Sequence, residues 1–100
     1  MIVTITADAV ALVDPDDVGR FHVAVAAGVT GVDAALQASG FGRLDSDTEA
    51  LISVDALRRA AAGSVGPDWA ERFAGMLTYA DTKGWLAEGG TAIRGHLEPG

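Results

Sequence analysis

The residues whose types and spacing come nearest to a known chemistry form one short acidic run. The segment from Asp45 to Glu49 places acids at positions 1, 3 and 5, as the opening of an EF-hand calcium loop does. The glycine that such a loop needs at position 6 is replaced by Ala50, and the glutamate needed at position 12 is replaced by Ala56. The run is therefore interpreted as a polar loop, and no calcium site is predicted.

The two histidines, His22 and His96, are the remaining candidate metal ligands, because the chain contains no cysteine. A zinc site built on them would have to recruit aspartate or glutamate from distant segments. A hydrogen-bonded or solvent-facing histidine is the simpler interpretation of each. The sequence predicts no metal and no cofactor, and the absence of cysteine excludes disulfides and thiolate catalysis.

Nucleophilic catalysis has no sequence support either. The four serines occupy predicted cap or loop positions and lack the Gly-x-Ser-x-Gly setting of a nucleophile elbow; they are Ser39, Ser46, Ser53 and Ser64. The glycines around Phe41 lack the spacing of a phosphate-binding loop. No catalytic residue is predicted, and the chain is expected not to be an enzyme.

A candidate partner-binding surface comes from the last predicted strand. Alternation places Arg94, His96 and Glu98 on one face of that strand. A strand that ends a chain is often a sheet edge, whose unpaired backbone groups another chain can extend. Arginine offers a planar fork for carboxylates, and a histidine contact would be sensitive to pH near neutrality. These three residues are the predicted contact site for a protein partner.

The elements that would position this surface begin with an amphipathic helix over residues 67–83. Its apolar residues recur with the spacing of a buried helical stripe: Trp69, Phe73, Met76, Leu77 and Ala80. Gly84 is expected to end the helix, Gly89 and Gly90 to form a turn, and residues 91–97 to form the last strand. The expected aromatic anchors of the core are Phe21, Phe41, Trp69, Phe73, Tyr79 and Trp85.

The rest of the chain alternates between strand-like and helix-like segments. Strands are predicted within residues 2–13, at residues 21–25 and at residues 49–54. Short helices are predicted from Val32 to a stop at Gly40, and from a cap at Ser53 or Asp55 through Ala62. The expected fold class is α+β: a small, mostly antiparallel sheet with about three helices, and a long C-terminal helix followed by a terminal strand.

Composition and charge set the expected domain count, compartment and partners. The 100 residues are the length of a single globular domain, residues 1–100, and 49% of them are hydrophobic. The net charge is −7, which disfavours nucleic acid and acidic membrane surfaces as partners. No apolar run approaches the roughly 20 residues of a membrane span. The absence of a signal-like start and of cysteine favours a cytoplasmic location.

The C-terminal half also resembles a group of short uncharacterised actinobacterial proteins. The resemblance implies a compact α+β domain and assigns no activity, cofactor or site residue. The residues that carry it are Val54, Asp55, Ala56, Leu57, Arg58, Trp69, Phe73, Met76, Tyr79, Ala80, Lys83, Gly84, Trp85, Arg94, His96 and Glu98.

Two further functions stay open beside a non-enzymatic interaction or accessory protein. A winged-helix-like regulator would use residues 67–83 as its recognition helix and residues 86–97 as its wing. A contiguous basic face of Arg58, Arg59, Arg72 and Lys83 would favour that function. A small-molecule-binding domain would instead need a deep apolar pocket with converging polar groups. The oligomeric state cannot be predicted from the sequence.

Overall fold

A computed structural model describes residues 1–99 of the chain. This part contains three α-helices, a short 3-10 helix and seven strands. The strands are β1 (Ile2–Ile5), β2 (Val10–Val13), β3 (His22–Val25), β4 (Gly42–Leu44), β5 (Glu49–Ser53), β6 (Leu86–Ala87) and β7 (Ala92–Pro99). The helices are α1 (Val32–Ser39), α2 (Val54–Ala61), α3 (Trp69–Thr82) and the 3-10 turn Glu88–Gly90. The predicted α+β class is confirmed.

The strands form one curled, mixed sheet in the order β2-β1-β3-β7-β5-β4, with β6 also paired to β7. The expected mostly antiparallel sheet is therefore wrong, because β3 runs parallel to both β1 and β7. Parallel neighbours require a crossover between them. Residues 14–21 return the chain from β2 to β3, and all three helices lie between β3 and β7.

Strand β7 lies inside this sheet and is not an edge strand. One of its sides pairs with β5 along residues 92–96, and the other pairs with β6 and then with β3. The strand order ends at β2 and β4, and β6 pairs with β7 alone. The expectation that the last strand offers free backbone groups is therefore wrong. Nor does the last helix end the fold, since β6, the 3-10 turn and β7 all follow it.

The core is formed by the sheet and the apolar faces of α2 and α3, and α1 contributes Leu36, which is completely buried. Trp69 and Phe73 are 6% and 1% exposed, and their rings stack with centroids 4.7 Å apart. Ala80 is also buried, while Met76 and Leu77 are partly buried, so the predicted helical stripe is confirmed. Ser53 caps α2 by accepting a 3.1 Å hydrogen bond from the Ala56 amide.

Two of the six expected core anchors are exposed. Tyr79 is 57% and Trp85 is 43% exposed, while Phe21 and Phe41 are partly buried against the core. Tyr79 lies about 60° around α3 from Met76, at roughly 100° per residue, and so falls beside the apolar stripe. The prediction that Tyr79 and Trp85 are core anchors is therefore wrong. A half-exposed ring removes less apolar surface from water than a core ring does, so it stabilises the fold less.

The end of α3 determines where Trp85 lies. Gly84 adopts φ 75°, a left-handed conformation that disfavours residues with a Cβ, and the chain reverses there. The Trp85 amide then donates to the Ala80 carbonyl at 2.9 Å, and the Trp85 carbonyl accepts from the Arg94 amide at 2.7 Å. The backbone of Trp85 is thus fixed between α3 and β7. Among residues 1–99, no helix combines the length and apolar character needed to cross a membrane.

Candidate functional site

A cleft opens where two strands, β6 and β3, pair with the same side of β7 at different positions and do not pair with each other. On that side, β6 pairs with Ala92 and Ile93, and β3 pairs only from Leu97 onward. The cleft between these pairings has a volume of about 470 Å³. Helix α3 closes one side through Met76, Tyr79 and Ala80, and the loop of residues 18–21 closes the other. We call it the α3–β7 cleft.

Aromatic side chains form the apolar wall of the α3–β7 cleft. Tyr79 and Trp85 pack edge to face, with ring centroids 5.9 Å apart. Lys83 Nζ lies 5.5 Å from the centroid of the Tyr79 ring, within reach of a cation–π contact. Phe21 and Met76 extend this wall toward the core. An occupant of the cleft would therefore meet large, polarisable surfaces.

The polar wall of the cleft contains Arg20, Glu49, Arg94 and His96. The Arg94 guanidinium pairs with Asp45 and lies 3.8 Å from Glu49, so two acids of the expected polar loop hold it in place. Arg20 is more exposed, and its 3.5 Å contact with Asp17 joins two surface residues three positions apart. Such exposed pairs contribute little stability, which leaves the Arg20 side chain free to turn toward a ligand.

The loop that carries Arg20 and Phe21 is held by hydrogen bonds from Met1 and from Trp69. The Met1 amino group donates to the Asp17 carbonyl at 2.7 Å and to the Arg20 carbonyl at 2.9 Å. Burial lowers the pKa of this amine below its usual value, because desolvation disfavours the ammonium form. Trp69 Nε1 donates to the Pro15 carbonyl at 2.7 Å, so the loop is anchored to the core as well.

A close approach between strands sets the position of Phe21 in the cleft. Gly95 is buried, and a Cβ built on it would lie 3.0 Å from Phe21 Cε2 and 3.0 Å from Val23 Cγ2. The missing side chain at residue 95 is therefore what allows the Phe21 ring to pack flat over β7. The alternation of β7 agrees with the sequence prediction, since Ile93 and Gly95 are buried while Arg94, His96 and Glu98 face away.

The structure brings two of the three predicted site residues together. Arg94 and His96 both line the α3–β7 cleft, whereas Glu98 does not. Glu98 instead lies beside His22, with its Oε2 atom 3.3 Å from His22 Nδ1, across the β3–β7 pairing. Whether any of the three contacts a partner stays a prediction.

Sequence reasoning missed the aromatic half of the cleft. Tyr79 and Trp85 were expected in the core, and Arg20 and Glu49 were not assigned to any site. One signal for Tyr79 was available, because it lies outside the apolar stripe of α3. Trp85 follows Gly84, the residue that ends α3, and the residues next to Trp85 in the sequence do not determine the direction of its ring.

Within residues 1–99, no group of three or more histidines and acids lies close enough to hold a metal ion. The hydroxyl of Ser53 caps α2, and that of Ser39 donates to the Leu36 carbonyl at 3.0 Å. Neither histidine is hydrogen-bonded to a serine.

Two of the three arginines of the expected basic face, Arg58 and Arg72, are engaged with acids, whereas Arg59 and Lys83 form no ion pair within residues 1–99. Arg72 donates to the Asp16 carbonyl at 2.8 Å, and its Nε lies 3.4 Å from Asp68 Oδ2. Arg58 lies 3.5 Å from Asp55 and 5.5 Å from the centre of the Phe73 ring. Arg72 is the one cation within α3 (Trp69–Thr82), and it is paired with acids.

Comparison of the chain with protein-family models, with curated proteins and with solved structures finds no match.

Proposed function

We propose that this chain is a non-enzymatic, cytoplasmic interaction or accessory protein that recognises a protein partner through the α3–β7 cleft. The observation that carries the proposal is the exposure of Tyr79 and Trp85 beside Arg94. Two of only six aromatic residues are placed at one cleft instead of in the core. Burying these two rings in the chain's own core would have stabilised the fold, so their exposure favours a role in binding.

The composition of the cleft supports a protein partner. Tyrosine, tryptophan, methionine and arginine are enriched at protein interfaces, and tryptophan, tyrosine and arginine dominate binding hot spots. All four types line this cleft, as Met76, Tyr79, Trp85, Arg20 and Arg94.

Preorganisation supports the same proposal. The backbone of Trp85 is fixed by hydrogen bonds to Ala80 and Arg94, and the Trp85 ring packs on Tyr79. A ring that is already positioned loses little conformational entropy when it binds, which improves affinity without new contacts.

The experiment that tests the proposal is partner capture by affinity pull-down and cross-linking in the source cells. We expect Trp85→Ala and Tyr79→Ala to lose the captured partner while keeping the fold. Val13→Ala is the matched control, because Val13 is the third exposed large hydrophobic residue, at 40%, and lies on edge strand β2 away from the cleft. If both aromatic variants capture the same proteins as the control, the cleft is not the interface.

A second candidate function is small-molecule binding by the same cleft. The volume of about 470 Å³ lies within the roughly 300–1,000 Å³ typical of ligand pockets, and Arg20, Glu49 and His96 converge on it. Screening a fragment library by ¹⁵N–¹H NMR tests this candidate. A compound that shifts Trp85 and Arg94 amides and saturates at micromolar concentration would favour it over a protein partner.

A further inference from the structure

We infer that the partner segment recognised by the α3–β7 cleft presents an apolar or aromatic side chain with a single carboxylate close to it. The inference rests on the proposed function and names the chemistry of the partner at that same site. It combines three features of the cleft: its charge relative to the rest of the chain, its one readily reoriented cation, and its aromatic wall.

The α3–β7 cleft has more arginines than acids in its own lining, although each arginine is paired with an acid: Arg20 with Asp17, and Arg94 with Asp45 and Glu49. Its lining contains Arg20 and Arg94 against the single acid Glu49, while the whole chain carries −7. Two further clefts have the opposite balance. One is lined by Arg43 against Asp55 and Glu88, and the other by Asp81 and Glu88 without a cation. A carboxylate is therefore better accommodated in the α3–β7 cleft than in either of the others.

Arg20 and Arg94 contribute differently to the binding of that carboxylate. Arg94 is 28% exposed and is held by Asp45 and Glu49, so its charge is largely compensated. Arg20 is 64% exposed, and its contact with Asp17 is a surface pair that an incoming carboxylate can replace. His96 adds an exposed donor beside them. Arg20 is accordingly the main carboxylate contact, and Arg94 is the fixed support behind it.

The remaining charges limit the partner to one carboxylate. A net charge of −7 repels a strongly acidic segment as it approaches. Glu49 in the lining opposes a second negative charge inside the cleft. Most of the affinity must therefore come from an apolar side chain against Phe21, Met76, Tyr79 and Trp85, and the carboxylate provides orientation.

Short amidated peptides test the inference, with ¹⁵N–¹H NMR titration of the full chain as the readout. The reference peptide is acetyl-Gly-Ser-Phe-Glu-Ser-Gly-amide, in which glutamate carries the only carboxylate. Three matched peptides replace Glu by Lys, replace Phe by Ala, or add two further Glu residues. We expect the reference peptide to shift the Trp85 and Arg94 amides, and the Lys and Ala peptides to bind about tenfold more weakly. The peptide with three Glu residues is expected to bind no more tightly than the reference.

Protein variants assign the carboxylate contact. Arg20→Gln should weaken the reference peptide about tenfold and abolish the preference for Glu over Lys. Arg59→Gln is the matched control, because Arg59 is exposed on α2, forms no ion pair within the described part and does not line the cleft. This control removes the same charge and should leave both affinities unchanged, so a purely global electrostatic effect is distinguished from a local one.

Several outcomes would overturn the inference. The inference is wrong if the Lys peptide binds as tightly as the reference peptide or more tightly, or if the preference for Glu over Lys persists in Arg20→Gln. It is also wrong if the peptides shift only amides outside the α3–β7 cleft, or if no peptide binds. If 3-phenylpropionate alone binds as tightly as the reference peptide, the site takes small acids. If the cleft amides shift with protein concentration alone, a second copy of the chain is the occupant.

Failure of the inference is distinguishable from failure of the proposed function. If Trp85→Ala loses the captured partner but the peptides show no carboxylate preference, the interaction function stands and only the partner chemistry is wrong. If Trp85→Ala and Val13→Ala capture the same proteins, the interaction function at this cleft is itself overturned.

Discussion

At the residue scale, aromatic residues on the same helix have opposite environments. Phe73 is almost completely buried and stacks on Trp69, whereas Tyr79 projects from the side of α3 and is more than half exposed. The difference comes from about 120° of rotation around the helix, at roughly 100° per residue. One ring therefore stabilises the fold, and the other is available at the α3–β7 cleft.

This difference predicts the cost of truncating each ring. Phe73→Ala should lower the free energy of unfolding by about 3–5 kcal/mol, because it removes buried apolar surface and leaves a cavity beside Trp69. Tyr79→Ala, on the same helix, should cost no more than about 1 kcal/mol. Urea denaturation of both variants measures the two losses. A loss below about 1 kcal/mol for Phe73→Ala would mean that the stripe does not pack against the core.

At the scale of single elements, the caps and stops of the helices were predictable because they depend on neighbouring residues. Ser53 caps α2 and Gly40 ends α1, as the sequence predicts. No strand was predicted at Gly42–Leu44, which form β4. That strand pairs with β5, and a pairing of this kind adds stability that local propensity does not contain.

The cap of α2 gives the first prediction at this scale. Ser53→Ala should reduce the free energy of unfolding by about 1 kcal/mol, because the Ala56 amide loses its hydrogen-bond acceptor. Ser64→Ala serves as the control, since Ser64 is exposed in the turn after α2. Chemical denaturation should show the control within about 0.5 kcal/mol of the parent. Equal effects of the two changes would argue against a capping role.

Gly84, the residue that ends α3, gives the second prediction at the scale of single elements. Gly84→Ala should destabilise the chain by about 1–2 kcal/mol, because a Cβ is unfavourable at φ 75°. It should also move Trp85 and change its fluorescence emission. Gly75→Ala is a control of opposite sign, since Gly75 lies inside α3 with open space around its missing Cβ. Alanine there should stabilise the helix by about 0.5–1 kcal/mol in a thermal denaturation series. A Gly84 variant as stable as the parent would contradict the assigned turn.

At the scale of the whole molecule, charge gives a clear expectation for nucleic acids. The net charge is −7, and Arg72, the arginine of the candidate recognition helix, is engaged with Asp16 and Asp68. We expect no appreciable binding of mixed-sequence duplex DNA at physiological salt. Fluorescence anisotropy, repeated at low salt, measures this. Micromolar or tighter binding with a steep salt dependence would favour the winged-helix alternative over the interaction protein.

The cleft is a property of the whole molecule, and only part of it was predictable. The sequence placed Arg94, His96 and Glu98 on one strand face because alternation is a local property of a strand. The structure separates Glu98 from the other two, since β3 covers that end of β7 and brings His22 to it. Arg20, Tyr79 and Trp85 reach the same cleft from other segments, which no spacing within one segment could show.

The sequence by itself determined the α+β class, the bounds of most helices and strands, the buried stripe of α3 and the net charge. These depend on periodicity, caps and composition, which act over a few residues or sum over the chain. The tertiary structure alone decided the mixed sheet, the interior position of β7 and the exposure of Tyr79 and Trp85. The physical reason is that strand order and cleft position arise from pairing between residues far apart in the chain, as Val23 pairs with Leu97. Such pairings are selected by the packing of the whole core, and that information is not present in any one segment.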